Sequence, residues 1–398
     1  MRILFLSFYF EPDHGPASIR NTLIAKALAK HESVDKIDVI TTFPNRWTTP
    51  LKQKKSLEKT DKLSVYRIDV GSYKYGLKGE LMKFWNYQRA AVKTAKNNSY
   101  DLVYASSSKL GTAALGAYIS DRKRSFYYLD IRDLFIDTIR DYFPGKIFKP
   151  FIFILSKIYR YSIIRADKIN VLSNAFTAEI AQINPNAKIS AIPYGVDTQF
   201  YDRSAEMPDG LIENSTKKNP ACKKIVYAGN IGFAQSLEII IPKISGILPS
   251  GWELDIYGNG PAKDKLYRES SRLKNINLYD TVNRDDIPDI YNKADVLFLH
   301  LNDKPAFEKS LPSKLFEYCC MGKPILAGCK GFLPNFVAEN EIEGIFMFEP
   351  NNKESFLETF YQIRQNYYDR RKFIDMWKRE DQIKLMVNDI ISRAPDDD

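Results

Sequence analysis

The chain has 398 residues, 44% of them apolar and 27% charged. That is too long for one hydrophobic core, and the composition excludes disordered, collagen-like and disulfide-framework proteins. The net charge of +9 is uneven, +13 over residues 1–200 and −4 over the remainder, so the first half is suited to face something anionic: nucleic acid, a lipid surface or a phosphorylated substrate.

The opening run RILFLS (2–7) is short and soon meets Glu11 and Asp13, which reads as a first strand and not as a signal peptide. No stretch reaches the ~18 uninterrupted apolar residues of a membrane span. Further strands are expected at KIDVITT (36–42), SVYRIDV (64–70), DLVYAS (101–106), FYYLDI (126–131) and KINVLS (168–173). Helix-length segments such as 17–31 and 79–96 separate them, and this alternation predicts a parallel sheet with helices on both faces. The polar, aperiodic DRSAEMPDGLIENSTKKNPA (202–221) reads as a linker. Alternation resumes with KIVYAG (224–229), WELDIYG (252–258), NINLYD (275–280), DVLFLHL (295–301), PILAG (324–328) and GIFMF (344–348). The expectation is two doubly wound α/β domains, 1–200 and 201–370. A helical tail over 371–398 follows, whose apolar positions Phe373, Met376, Trp377, Ile383, Met386 and Ile390 need a partner. Four cysteines without C-x-x-C, and only three histidines, argue against a zinc site or a disulfide set and fit a reducing cytoplasm.

Ligands of such sheets bind beyond the carboxyl ends of the strands, and the cleft between two such domains is the natural place for a site. After the first strand stands Gly15, with no G-x-G-x-x-G dinucleotide fingerprint. It permits close backbone approach next to a helix N-terminus. The second half has two glycine turns at strand ends, Gly229-Asn230-Ile231-Gly232 and Gly258-Asn259-Gly260, suited to a phosphate or nucleotide. The stretch SLPSKLFEYCCMGKP (310–324) opens a helix with Pro312 and Ser313, the latter placed to cap. Lys314 sits in the first turn, where the dipole disfavours a cation unless an anion is also bound. Glu317 lies one turn on, on the same face, and suits a ribose diol. Cys319 and Cys320 read as apolar filling.

These residues, in order, resemble the family 4 retaining glycosyltransferases of GT-B fold, closest to the bacterial subgroup that builds O-antigen, capsule and exopolysaccharide. The resemblance runs through YFEPDHGPAS, TFPNRW, DIRDLF, ADKINVLS, IPYGVDTQF, YAGNIGFAQSLE, YGNGPAKDKL, YNKADVLFLHL and PSKLFEYCCMGKPILA. It implies two Rossmann-like domains facing a central cleft, an acceptor on the first and a nucleotide-sugar on the second. Gly15 would approach the donor. Gly232 and Ser313 would lend donors to the diphosphate, Lys314 would carry the positive charge, Glu317 would hold the ribose, and Asn230, Gly258 and Gly260 would line the nucleotide. The chain departs from the family pattern where the first acid of an E-x7-E pair is expected: Lys309 stands there, with Glu308 one place off, so Lys309 is a further candidate for the diphosphate. A histidine common after a central strand of the first domain is replaced by Arg132 and Asp133, which become the catalytic candidates.

Transfer through an oxocarbenium-like transition state needs charge stabilisation on the leaving diphosphate, which a lysine and helix N-termini supply. The sequence has no D-x-D at a strand end, so metal independence is expected, with no cofactor besides the donor substrate. Basic, aromatic helices at 77–96 and 146–168, with Lys146, Lys149, Lys157, Arg160 and Lys168 on one stripe, suggest an anionic membrane surface and a polyprenyl-diphosphate-linked acceptor. The place expected is the cytoplasmic face of the inner membrane. Two other readings are a GT-B type nucleotide-sugar epimerase, for which only His14, His31 and His300 are available, and non-enzymatic nucleic-acid binding, for which no recognised module appears.

Overall fold

The computed structural model describes residues 1–13, 15–44, 56–71, 77–143, 145–197, 199–200 and 222–392, with the backbone alone for Leu77, Lys78 and Phe135. The segment 202–221 and His14 lie outside the described residues. The chain forms two compact units, Met1–Tyr194 with Glu380–Asp398, and Gly195–Arg379.

The first unit is built on an eight-stranded sheet. In chain order its strands are β1 (Arg2–Leu6), β2 (Lys36–Thr42), β3 (Leu57–Lys59), β4 (Leu63–Ile68), β5 (Leu102–Ser106), β6 (Phe126–Ile131), β7 (Lys168–Val171) and β8 (Lys188–Ala191). Their spatial order is β3-β4-β2-β1-β5-β6-β7-β8, parallel throughout except for the antiparallel edge pair β3/β4. The apolar runs are continuous because both faces are covered. Leu4 and Leu6 of β1 pack with Val103, Ala105, Tyr127 and Leu129 on one face. Ile3 and Phe5, one residue out of phase, pack with Val39, Leu102 and Tyr104 on the other. This period of two is the strand's own geometry. The helices Leu77–Ala95, Leu110–Lys123 and Lys149–Ile164 cover the first face.

The second face is covered by Pro16–Lys30 and by the last helix, Arg379–Ile391, whose Ile383, Met386 and Ile390 are buried in that core. Asp389 fastens it: Tyr128 donates to its carboxylate at 2.5 Å, Ser190 at 2.7 Å, and Lys168 to its carbonyl at 2.8 Å. Two expectations are corrected here. The tail is not one helix but two, Arg371–Met376 and Arg379–Ile391. Phe373 and Trp377 pack in the second unit, whereas Ile383, Met386 and Ile390 pack in the first, and Met376 is exposed. Lys168 is not on a basic helical stripe. It is a buried residue of β7, and its stem packs while its ammonium pairs with Asp389 at 3.1 Å.

The second unit has six parallel strands, β9 (Lys223–Asn230), β10 (Trp252–Asn259), β11 (Ile276–Tyr279), β12 (Val296–His300), β13 (Ile325–Gly328) and β14 (Ile345–Phe348), in the order β11-β10-β9-β12-β13-β14. Its two faces are again separate cores, one around Ile225, Tyr227, Ile256 and Phe298, the other around Val226, Ala228, Leu297 and Ala327. Both sheets reverse direction of growth beside their first strand, at β1/β5 and at β9/β12. Such switch points open a crevice at the carboxyl ends of the strands. Gly15 follows β1, and Gly232 follows β9.

Candidate active site

In the second unit, the ends of β9 and β10 approach so closely that only glycine fits. Gly229 and Gly258 are paired across the two strands. A Cβ on Gly258 would lie 1.8 Å from the Gly229 carbonyl oxygen, and one on Gly260 would lie 2.2 Å from that of Ile231. Both glycines have φ above +150°, a region side chains avoid. Ile231 N–H donates to the Asn259 carbonyl at 2.9 Å, and Ala262 N–H to that of Ile231 at 3.0 Å, which ties the two loops together. Asn230 is used within its own loop: its amide donates to Gln235 Oε1 at 2.9 Å, and its carbonyl accepts from Tyr227 at 2.6 Å. A Cβ on Gly232 would meet that same amide at 2.7 Å.

Lys314 reaches over this glycine floor. A Cβ on Gly229 would lie 2.0 Å from its Nζ, and the ammonium stands 5.3 Å from the centre of the Tyr227 ring. Among the described residues Lys314 makes no hydrogen bond and no ion pair. Burial lowers its pKa, Glu317 opposes the shift and Arg284 adds to it. A half-buried cation without a partner is a costly arrangement unless an anion completes it. Glu317 is 8% exposed. One oxygen lies 3.5 Å from Arg284 Nη1, and the other accepts from Tyr291 at 3.2 Å.

Ser313 is the first residue of the Ser313–Cys319 helix, and Pro312 holds the cap position without a side-chain hydrogen bond. The expectation that Ser313 caps is corrected: proline's fixed φ, −72° here, already sets the entry geometry. Lys309 follows the short Pro305–Glu308 helix and is half-buried. Glu308 pairs with Lys330 at 3.1 Å. Cys319 and Cys320 are buried in the apolar core, and burial pushes the Cys319 thiol up to about 11.

The loop after β9 is held by buried polar groups at and just beyond the end of β12. His300 Nε2 accepts from the Asn351 N–H at 3.1 Å, which leaves Nδ1 to donate to the Gln235 carbonyl at 2.7 Å. Asn302 donates to the Phe233 carbonyl at 2.8 Å. Burial between Phe298 and Phe348 depresses the His300 pKa to about 4, with the Gln235 carbonyl opposing.

The first unit holds the remaining candidates. Gly15 caps the Pro16–Lys30 helix with ordinary extended dihedrals, and a Cβ there would meet nothing within 4 Å; packing does not require a glycine. Arg132 follows β6 and is 4% exposed. Its guanidinium contacts the Tyr194 hydroxyl and lies 4.7 Å from that ring, while its Nη1 is buried without a partner. Arg20 stands 5.8 Å from the centre of the same ring, donates to the Ile192 and Pro193 carbonyls, and lies 3.8 Å from buried Asp130. Asp133 is exposed, and surrounding protein raises its pKa against the opposing charge of Arg132. Solvent access keeps that effect small.

Sequence reasoning missed Arg284, Tyr291, Asp197 and His300. The first three meet Glu317, directly or through Arg284, from positions remote in the chain. His300, at the end of β12, had a signal in its place after a strand.

Residues 222–366 match the family described as glycosyl transferases group 1. A search of curated proteins finds no sequence match. Among solved structures, sucrose-phosphate synthase from Thermosynechococcus elongatus is similar with a TM-score of 0.73 at 13% identity, over 97% of each chain. HepE from Anabaena, solved in complex with UDP and glucose, has a TM-score of 0.65 at 17% identity over 98% of each chain. WaaG, a glycosyltransferase involved in lipopolysaccharide biosynthesis, has 0.61 at 14% identity, over 98% of this chain and 99% of that one. The fold is GT-B, and the match to the group 1 glycosyl transferases lies within the second unit.

The His300 pKa predicts a pH effect with a definite sign. The folded value, about 4, lies below the ordinary 6.5, so the stability contributed by neutral His300 is complete above about 6.5 and is lost as pH falls toward 4. The stability difference between wild type and His300→Asn should shrink by up to about 3 kcal/mol between pH 7 and pH 4, measured by urea unfolding. A difference that stays constant over that range contradicts this role.

Proposed function

We propose that the protein is a retaining glycosyltransferase that moves a sugar from a nucleoside diphosphate sugar to a lipid-linked glycan acceptor in surface polysaccharide biosynthesis. The observation that carries this reading is Lys314: a half-buried, unpaired cation over a glycine floor, one helical turn from Glu317. In this account Lys314 receives the diphosphate, with Gly232, Ser313 and Lys309 around it. Gly258 and Gly260 leave room for the nucleoside, and Glu317 accepts hydrogen bonds from the ribose hydroxyls. The UDP named for HepE makes a uridine donor the first to test.

The bond between the anomeric carbon and the β-phosphate oxygen breaks as negative charge grows on that phosphate. Lys314 stabilises this charge inside a poorly solvated site, where the interaction is strongest. The acceptor hydroxyl attacks from the same face, and its proton passes to the departing phosphate oxygen. Arg132 and Asp133 are assigned to positioning the acceptor or the donor sugar, and Gly15 to backbone approach. The charge is supplied by the protein's own lysine, so the reaction is expected to proceed without a metal.

We place the protein on the cytoplasmic face of the plasma membrane as a peripheral enzyme. No helix among the described residues is long and apolar enough to cross a membrane. In the first unit, every described exposed large apolar residue except Leu57 and Leu385 lies on 81–85 or 142–164, including Trp85 (54%), Ile147 (84%) and Phe153 (62%). Exposed Lys146, Lys149, Lys157 and Arg160 interleave with them and join no ion pair among the described residues. Apolar side chains ringed by unpaired cations suit an anionic bilayer.

A thermal-shift panel of UDP, GDP and ADP and their sugars, run with chelator, tests the donor site. Stabilisation by one base, retained in chelator and lost in Lys314→Met and Glu317→Ala, is the expected result. No stabilisation of the wild type by any of them contradicts the reading. Sedimentation with phosphatidylglycerol vesicles at low salt tests the membrane assignment: wild type should pellet and Trp85→Ser/Phe153→Ser should not. A wild type that stays in the supernatant removes the assignment.

A further inference from the structure

Glu317 is already engaged before any ligand arrives, and its partner is itself anchored. Arg284 Nη2 lies 2.5 Å from Asp197 Oδ2, and Arg379 Nη1 lies 2.6 Å from the same oxygen. Arg284 also stands 5.5 Å from the centre of the Phe200 ring. Its other nitrogen, Nη1, reaches Glu317 Oε1 at the looser 3.5 Å. Asp197 and Arg379 belong to the two ends of the second unit, where the chain enters at Gly195 and leaves at Arg379. Those ends are laced together: Val196 N–H donates to the Trp377 carbonyl at 2.6 Å, and Arg379 N–H to that of Val196 at 2.8 Å.

Resting on the reading of Glu317 as the ribose acceptor, we propose that Arg284 is a positioning residue for nucleoside recognition, held by Asp197 and holding Glu317. Three features support this. The tight ion pair is with Asp197, so a ligand that takes the lone pairs of Glu317 leaves Arg284 in place. The two carboxylate oxygens are oriented by different donors, Arg284 on Oε1 and Tyr291 on Oε2, which fixes the carboxylate plane while each oxygen keeps a lone pair for one hydroxyl of a diol. The planar guanidinium fork can serve two carboxylates at once, whereas an ammonium offers a single point of charge.

The test measures binding of UDP, GDP and ADP, in parallel with their 2′,3′-dideoxy forms, by titration calorimetry. The proteins are wild type, Arg284→Met, Arg284→Lys, Glu317→Gln and the Arg284→Met/Glu317→Gln double variant. Thermal unfolding confirms that each is folded. Arg284→Met should weaken binding of the ribose nucleotide about tenfold and leave the dideoxy form unchanged. Arg284→Lys should restore part of the loss, and the double variant should bind no more weakly than Glu317→Gln alone. Equal weakening of ribose and dideoxy forms, or losses that add in the double variant, would overturn the proposal. Wild-type discrimination abolished by Glu317→Gln but untouched by Arg284→Met would overturn it while sparing the role of Glu317. A wild type that does not distinguish the ribose from the dideoxy form would remove that role as well.

Discussion

A lysine held without a counter-ion is the constraint around which the second unit is arranged. Lys314 occupies the space that a side chain on Gly229 would fill, and its burial already works against its charge. The glycines follow from this. β9 and β10 each carry a glycine just before their last residue, Gly229 and Gly258, and their backbones close up beneath the ammonium. The glycine loop after β9 then needs rigid support, which His300 at the end of β12 and Asn302 just beyond it give by hydrogen bonds to the carbonyls of Gln235 and Phe233. Such fixed polar groups let a site meet developing charge without reorganising.

A second buried network shapes the carboxyl edge of the first sheet. Asp130 at the end of β6 accepts from Asn170 at 2.6 Å and Tyr104 at 3.0 Å, and Arg20 and Arg132 both place a guanidinium near the Tyr194 ring. Buried cations at this density are expensive, and a network of this kind is stable only when its members find partners. Most do, but Arg132 keeps one nitrogen without a partner. The position next to exposed Asp133 is thus chemically unusual for a reason independent of family likeness.

The fold was legible because each buried strand carries its own signal. β2 and β6 fall where the apolar runs KIDVITT and FYYLDI stand, and the strands of the second unit lie within a residue or so of their predicted ends. The short edge strands β3 and β8 escaped: β3 is exposed throughout and no residue of β8 is buried, so neither has an apolar pattern to read. The glycine turns and Lys314 were legible from local spacing. The partners of Glu317 were not, because Asp197, Arg284 and Tyr291 are brought to it by tertiary packing. The tail misled for a similar reason. Its apolar residues look like one face of one helix, but the break at Trp377 and Lys378 sends them to two different cores.

The most direct test of the central claim is the ionisation of Lys314 itself, followed by NMR on lysine side-chain labelled protein, with Lys314→Met identifying the signal. The account predicts a pKa below the ordinary lysine value in the free protein and a rise when a nucleoside diphosphate binds, because phosphate supplies the missing counter-charge. A Lys314 signal with an ordinary pKa that does not move on addition of UDP, GDP or ADP would contradict it.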